Sequence, residues 1–220
     1  MNIFKKIISN SNFKRFAILI FLLFVYIIIC ASSYVNAISS NIQNSIFRLH
    51  VIANSDSEED QNLKYIVRDN VLEYINIISE NATCKEEVIN LAKDNITEIE
   101  KIAQQTVYEN GYNYTINLSI GNFPFPTKSY GDISFPAGYY DALKIEIGEA
   151  KGQNWWCVMF PPLCFVDVTN GVVPQESKEI IENNLSQEEY KLLSENSNNI
   201  NFKFKIVEMF QNISMKLAQS

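Results

Sequence analysis

The sequence predicts an α+β fold: an antiparallel sheet packed against two long helices, preceded by an N-terminal signal or anchor segment. Three patterns lead there. Short stretches of period-two apolar alternation mark strands, and two long stretches of i, i+3, i+4 apolar spacing mark helices. One uncharged run behind a basic cluster marks the amino terminus for export. With 220 residues, 47% of them hydrophobic, the chain fills one core and is too short to promise two independent domains.

The basic cluster is Lys5, Lys6, Lys14 and Arg15, followed by residues 16–31 (FAILIFLLFVYIIICA), which carry no charge. As a helix those residues advance about 24 Å, less than a ~30 Å hydrocarbon core. That length suits a signal peptide, and Val35 and Ala37 place its cleavage after Ala37. The alternative is an uncleaved anchor that uses residues up to Val35. In both cases the remainder is exported. The organisation then reads as 1–37 signal peptide or membrane anchor, 38–45 polar tether, and 46–220 a single α+β domain.

Removing the four basic residues of the terminus leaves 14 basic against 25 acidic residues. Such a surface repels phosphate backbones, which excludes nucleic acid as the expected partner. Export also opens Cys84, Cys157 and Cys164 to oxidation, and an odd count gives one pair and a spare.

Residues 46–53 (IFRLHVIA) alternate and read as a strand. Residues 54–60 (NSDSEED) then gather short acceptors and acids, the composition of a helix amino terminus. The first long helix follows, with Leu63, Ile66, Val67, Val71, Tyr74, Ile75 and Ile78 on one face. A second spans about 85–108 through Val88, Leu91, Ala92, Ile96, Ile99, Ile102 and Ala103, and Gly111 stops it. From Tyr112 to Ile120 the period is two, with one polar face. Residues 121–138 hold three prolines and three glycines and read as an ordered loop. Strands are expected over 139–148, 155–160 and 163–168, with a turn at Lys151-Gly152-Gln153. Short helices over 176–183 and 186–193, a strand over 200–206 and a helix over 207–218 complete the domain.

Catalytic sets are sparse. The single histidine, His50, sits in a strand, and no G-x-S-x-G, H-E-x-x-H or P-loop occurs. Cys157 and Cys164 with one remote histidine make no zinc site, and the 54–60 acids lack the calcium-loop pattern. Neither cofactor nor metal is expected.

The stretch 154–165 (NWWCVMFPPLCF) is decided by register. A hairpin turning on Phe160-Pro161 places Cys157 opposite Cys164, within disulfide reach. A turn on Pro161-Pro162 makes them diagonal neighbours and strains the bond. Alternation puts Trp155, Cys157 and Met159 on one face and Trp156, Val158 and Phe160 on the other. Two apolar faces fit a buried central strand and equally a strand with one face against a partner.

Residues 47–56 (FRLHVIANSD), with Asp60-Gln61, Lys64, Val67, Arg68 and Asp69, resemble the start of the stage II sporulation protein R family. Phe125-Pro-Thr-Lys, Tyr130-Gly131, Pro136-Ala-Gly138, Tyr140, Ala142-Leu143 and the stretch from Gly152 to Phe165 extend the resemblance, which covers residues 46–168. It implies a signalling protein made in the forespore and exported into the space between forespore and mother cell. There, members trigger a membrane-embedded aspartic protease that processes the precursor of sporulation sigma factor E. On this reading the chain is not an enzyme. Asn54, Ser55, Asp56, Tyr130, Gly131, Trp155 and Trp156 are the candidate partner surface, and Cys157 with Cys164 the candidate disulfide. The rivals are a cell-envelope hydrolase using carboxylates of the 54–60 loop or Asp132, and a membrane-tethered structural protein of the envelope.

Overall fold

The computed structural model describes residues 11–164 and 172–194. The chain divides into two units, residues 1–39 and 40–220. Helix α1 (Ser11–Asn44) forms most of the first and enters the second. Its large apolar side chains between Phe16 and Ile29 are exposed. Among the described residues no helix is long and apolar enough to cross a membrane.

In the second unit, the end of α1 replaces the expected tether. Ile42 is buried there, and Asn41 Nδ2 donates to Glu189 Oε1 at 2.9 Å. Then follow β1 (Phe47–Ile52), α2 (Glu58–Ile78), α3 (Lys85–Asp94), α4 (Ile96–Glu109), β2 (Ile116–Phe125), β3 (Lys128–Tyr130), β4 (Ile133–Phe135), β5 (Gly138–Ile147), β6 (Asn154–Phe160), α5 (Gln175–Asn184) and α6 (Gln187–Ser194). The main sheet has the order β2-β5-β1-β6, and β3 pairs with β4 in a small second sheet. The pairs β2/β5 and β1/β6 are antiparallel, as expected, but the central pair β1/β5 is parallel.

Two local expectations change. The second long helix breaks at Asn95, whose side-chain amide donates to Leu91 O at 2.9 Å and whose backbone ends one helix and starts the next. The apolar spacing runs across the break, so periodicity alone hides it. The segment read as a loop holds the end of β2 and the β3–β4 hairpin. Pro124 fits within β2 because β2 lies at the edge of the sheet, where a missing amide costs no ladder bond. Conversely, β2 begins at Ile116 and not at Tyr112. Of the strand expected over 163–168, Leu163 and Cys164 lie outside any strand, and the rest falls outside the described residues. The strand over 200–206 and the helix over 207–218 also fall outside them.

One face of the sheet makes the core. Leu49 and Val51 of β1 share it with Leu143 and Ile145 of β5 and Cys157 of β6, all fully buried. It lies beneath α2 and α4, which bring Leu63, Val67, Val71, Ile99 and Ala103. Burying each large aliphatic side chain contributes roughly 1.5–3 kcal/mol relative to exposure. The opposite face carries Arg48, His50, Lys144 and Trp156. The β3–β4 hairpin packs at its Arg48 end, since the Tyr130 hydroxyl meets Arg48 there. Gly131 turns that hairpin at φ +57, in the left-handed region where only glycine is unstrained.

Candidate functional site

The resemblance-bearing residues collect in two clusters at the two ends of one loop contact. The first is closed. Asp60, 4% exposed in the first turn of α2, accepts from Asn54 Nδ2 at 2.8 Å and from Ser55 Oγ at 2.5 Å. Burial opposes its ionisation, but these two donors and Tyr114 outweigh it and hold the carboxyl below its ordinary value. Asn54 Oδ1 accepts from the Glu149 amide at 2.9 Å. Gln61 Nε2 donates to Ser55 O at 2.8 Å, and buried Lys64 reaches Gln61 Oε1 and Gln153 O. Burial, and then the Arg68 charge, lower the Lys64 pKa, while Asp56 opposes them.

Backbone contacts lock this cluster onto the β5–β6 turn. The Lys151 and Gly152 amides donate to Asn54 O and Ala53 O at 3.1 and 2.9 Å. A Cβ on Gly152 would collide with the Ser55 carbonyl, and one on Gly148 with Asn54 Oδ1. Glycine is therefore required where the two motifs touch. Ser57 caps α2 by accepting from the Asp60 amide at 3.2 Å, and Glu58, Glu59 and Asp60 occupy the first turn, as the acid-rich stretch predicted.

The second cluster surrounds the two tryptophans, both partly exposed. Trp155 turns toward α2, edge-on to Tyr65 at 5.4 Å, with the Arg68 guanidinium 4.3 Å from its ring centre. Trp156 turns to the other face. It stacks on His50 at 5.6 Å, Lys128 Nζ lies 5.3 Å from its ring, and its carbonyl accepts from the Tyr130 hydroxyl at 3.1 Å. Tyr130 in turn accepts from Arg48 Nη2 at 2.9 Å. Arg48 is fully buried, 4.2 and 4.7 Å from the ring centres of Phe125 and Tyr140. Burial lowers the His50 pKa, and Lys144 and Arg48 act the same way; the hydrogen bond with Asn154, at 2.7 Å, and Glu146 oppose.

Cys157 and Cys164 are joined, with Cα atoms 5.0 Å apart. The Leu163 amide donates to Val158 O at 3.0 Å, and the peptide bond between Phe160 and Pro161 is cis. The turn through Phe160-Pro161 brings Leu163 to Val158 and Cys164 to Cys157, as the first register expected, but among the described residues no second strand pairs with β6 there. Among the described residues Cys84 stays free.

The expected partner surface is thus divided. Asn54 and Ser55 belong to the closed cluster, and Asp56 is exposed at its edge. Tyr130 is 5% exposed, so its side chain supports Trp156 from inside and presents little surface of its own. Gly131 sits at the hairpin turn, and both tryptophans stand at the open corner. Sequence reasoning quoted Arg48, Arg68 and Lys128 only for the family resemblance and passed over Tyr65, so none of the four was placed at the tryptophans. The signal present in the sequence was Arg48, a cation in the middle of a strand whose neighbours are apolar.

Fold and site together define an α+β domain whose distinguishing feature is an aromatic, cation-bearing corner beside a closed polar latch. The family model of stage II sporulation protein R matches residues 43–170, which contain both clusters. The chain belongs to the stage II sporulation protein R family. It is 43% identical over 140 residues to the stage II sporulation protein R of Bacillus subtilis (strain 168), a match that covers 63% of this chain and 62% of that protein. No solved structure matches the chain.

Proposed function

We propose that the chain is an exported sporulation signal that activates, by protein contact, a membrane-embedded aspartic protease processing the precursor of sporulation sigma factor E. Family membership gives the sporulation role. The observation that favours contact over catalysis is the state of the polar side chains. Asp60, the carboxylate a hydrolase would recruit from the 54–60 loop, is buried and held ionised by its donors, which makes it a poor proton carrier. Asp132, the other carboxylate of that rival, is paired with Lys178 at 2.6 Å. His50 is stacked on Trp156 and bonded to Asn154 rather than to a nucleophile. On this reading the chain is not an enzyme and needs no cofactor.

The basic cluster and exposed apolar run of α1 support delivery across the forespore membrane, so that the domain works in the space between forespore and mother cell. Cleavage after Ala37 releases it, and retention leaves it anchored. Intact mass of the exported product separates the two, since release predicts a chain beginning at Ile38. The reading itself is tested by coexpressing the chain with the candidate protease and its sigma precursor. Precursor cleavage should rise when the chain is present, and equal cleavage without it would refute activation.

A further inference from the structure

Among the described residues, five buried side-chain nitrogens lack a hydrogen-bond partner, and all lie on β1 and β6: Nε and Nη1 of Arg48, Nδ1 of His50, and Nε1 of Trp155 and Trp156. Arginine and indole nitrogens only donate, so four of the five are donors without an acceptor. Protein interiors leave few such groups. Four of the five, those of Arg48, His50 and Trp156, share the face that carries the β3–β4 hairpin, and that gathering calls for a cause.

The same corner holds positive charge without an opposite. Arg48 is fully buried and its guanidinium meets two aromatic faces and the Tyr130 hydroxyl, with no carboxylate. Lys128 lies over the Trp156 ring and forms no ion pair among the described residues. By contrast Lys85, Lys144, Lys151 and Lys178 each hold a carboxylate. Between β3 and the start of β6 opens a pocket of about 300 Å³, lined by Lys128, Ser129, Tyr130, Asn154, Trp155 and Trp156 among others, and among the described residues no acidic side chain lines it. Within a chain of net charge −7, this corner carries unpaired donors and cations and, among the described residues, no negative charge.

We propose that this pocket receives the carboxylate of an acidic side chain on the protein partner, with Lys128 as the direct ionic contact and Arg48 as the charge behind the Tyr130 hydroxyl. The proposal rests on the contact reading and names the chemistry of the partner. A carboxylate on a short stem suits the walls, because the Trp156 ring covers its methylenes while Lys128 Nζ and the side-chain N–H group of Asn154 on the rim donate to its head. A polyanionic surface such as a bilayer or nucleic acid suits them less. The overall charge repels an extended field of negative charge, whereas one carboxylate at contact distance responds to the local cations.

The test uses the full chain in a neutral detergent, labelled at the tryptophan indoles, titrated with N-acetyl-glutamate amide and with its glutamine analogue. The expected result is a saturable shift of the Trp156 indole resonance by the glutamate probe, and binding about tenfold or more weaker for the glutamine probe. Lys128→Ala should weaken the glutamate probe by a similar factor, and Lys101→Ala, on α4 where it pairs with Glu98, should leave it unchanged. Absence of a saturable shift, equal binding of the two probes, indifference to Lys128→Ala, or an equal response to inorganic phosphate would each overturn the proposal. The coexpression assay keeps the two readings apart. If the native chain raises precursor cleavage and Lys128→Glu does so equally, the pocket is wrong and activation stands. If the native chain raises nothing, activation fails whatever the probe does.

Discussion

The latch around Asp60 and the corner around Trp156 stand on the same two strands' ends, yet they treat their polar groups in opposite ways. In the latch, Asn54, Ser55, Gln61 and Asp60 bond to one another and to the β5–β6 turn. At the corner, Arg48 and the Trp156 indole keep N–H groups with no acceptor among the described residues. A satisfied buried network fixes a fold, and an unsatisfied one costs stability that a fold alone does not recover. The difference supports the proposed reading, in which the latch serves structure and the corner recognition, although both carry residues of the same family pattern.

The comparison breaks most readily at the glycine that lets the two motifs touch. Gly152→Ala forces a methyl group into the Ser55 carbonyl and should cost about 1–3 kcal/mol, occasionally more. Urea unfolding measures it, and a change within error would deny that the contact is tight. Removing the bridge with Cys157→Ser and Cys164→Ser should cost about 2.5 kcal/mol on the chain-entropy account of so short a loop. Thermal unfolding under non-reducing conditions checks that loss.

Asp60→Ala comes next, because it leaves the half-buried donors of Asn54 and Ser55 without their acceptor, at about 1–3 kcal/mol. It should lower stability and leave precursor cleavage unchanged per folded molecule. A selective loss of cleavage would move Asp60 from structure to recognition. The smallest effect concerns acid. The His50 pKa is lower in the folded state than its ordinary 6.5, so folding favours the neutral ring. That contribution is present above pH ~6.5 and is lost as pH falls through the folded value. The Asp60 contribution is held above the ordinary carboxylate range and lost only below it, since its pKa is also lowered. Urea midpoints should therefore fall between neutral pH and pH ~5 in the native chain and less in His50→Gln, and parallel curves would contradict the assignment.

The latch was legible in the sequence and the corner only partly. Acids and short acceptors before an apolar helical period announced the Ser57 cap and the acidic first turn of α2. The disulfide was legible because Cys157 and Cys164 are close in sequence, so a hairpin register could place them. Long-range placement was not. Nothing local distinguishes the parallel β1/β5 pairing from an antiparallel one, because strand partners are chosen by the whole core. The break at Asn95 was hidden by an apolar period that continues through it. Lys128 was legible as part of the family resemblance, but its place at the corner was not, because β3 is three residues long and lies in a stretch punctuated by proline and glycine. Its approach to Trp156 exists only once the hairpin folds over the sheet.

The central claim, that recognition belongs to the corner and not to the latch, is tested most directly by precursor cleavage per folded molecule for Lys128→Ala combined with Trp156→Phe. That pair removes one cation and one indole donor and keeps the aromatic stack on His50. The account predicts a thermal midpoint close to that of the native chain and a cleavage signal lowered toward the level seen without the chain. Native cleavage from the well-folded double variant would contradict it.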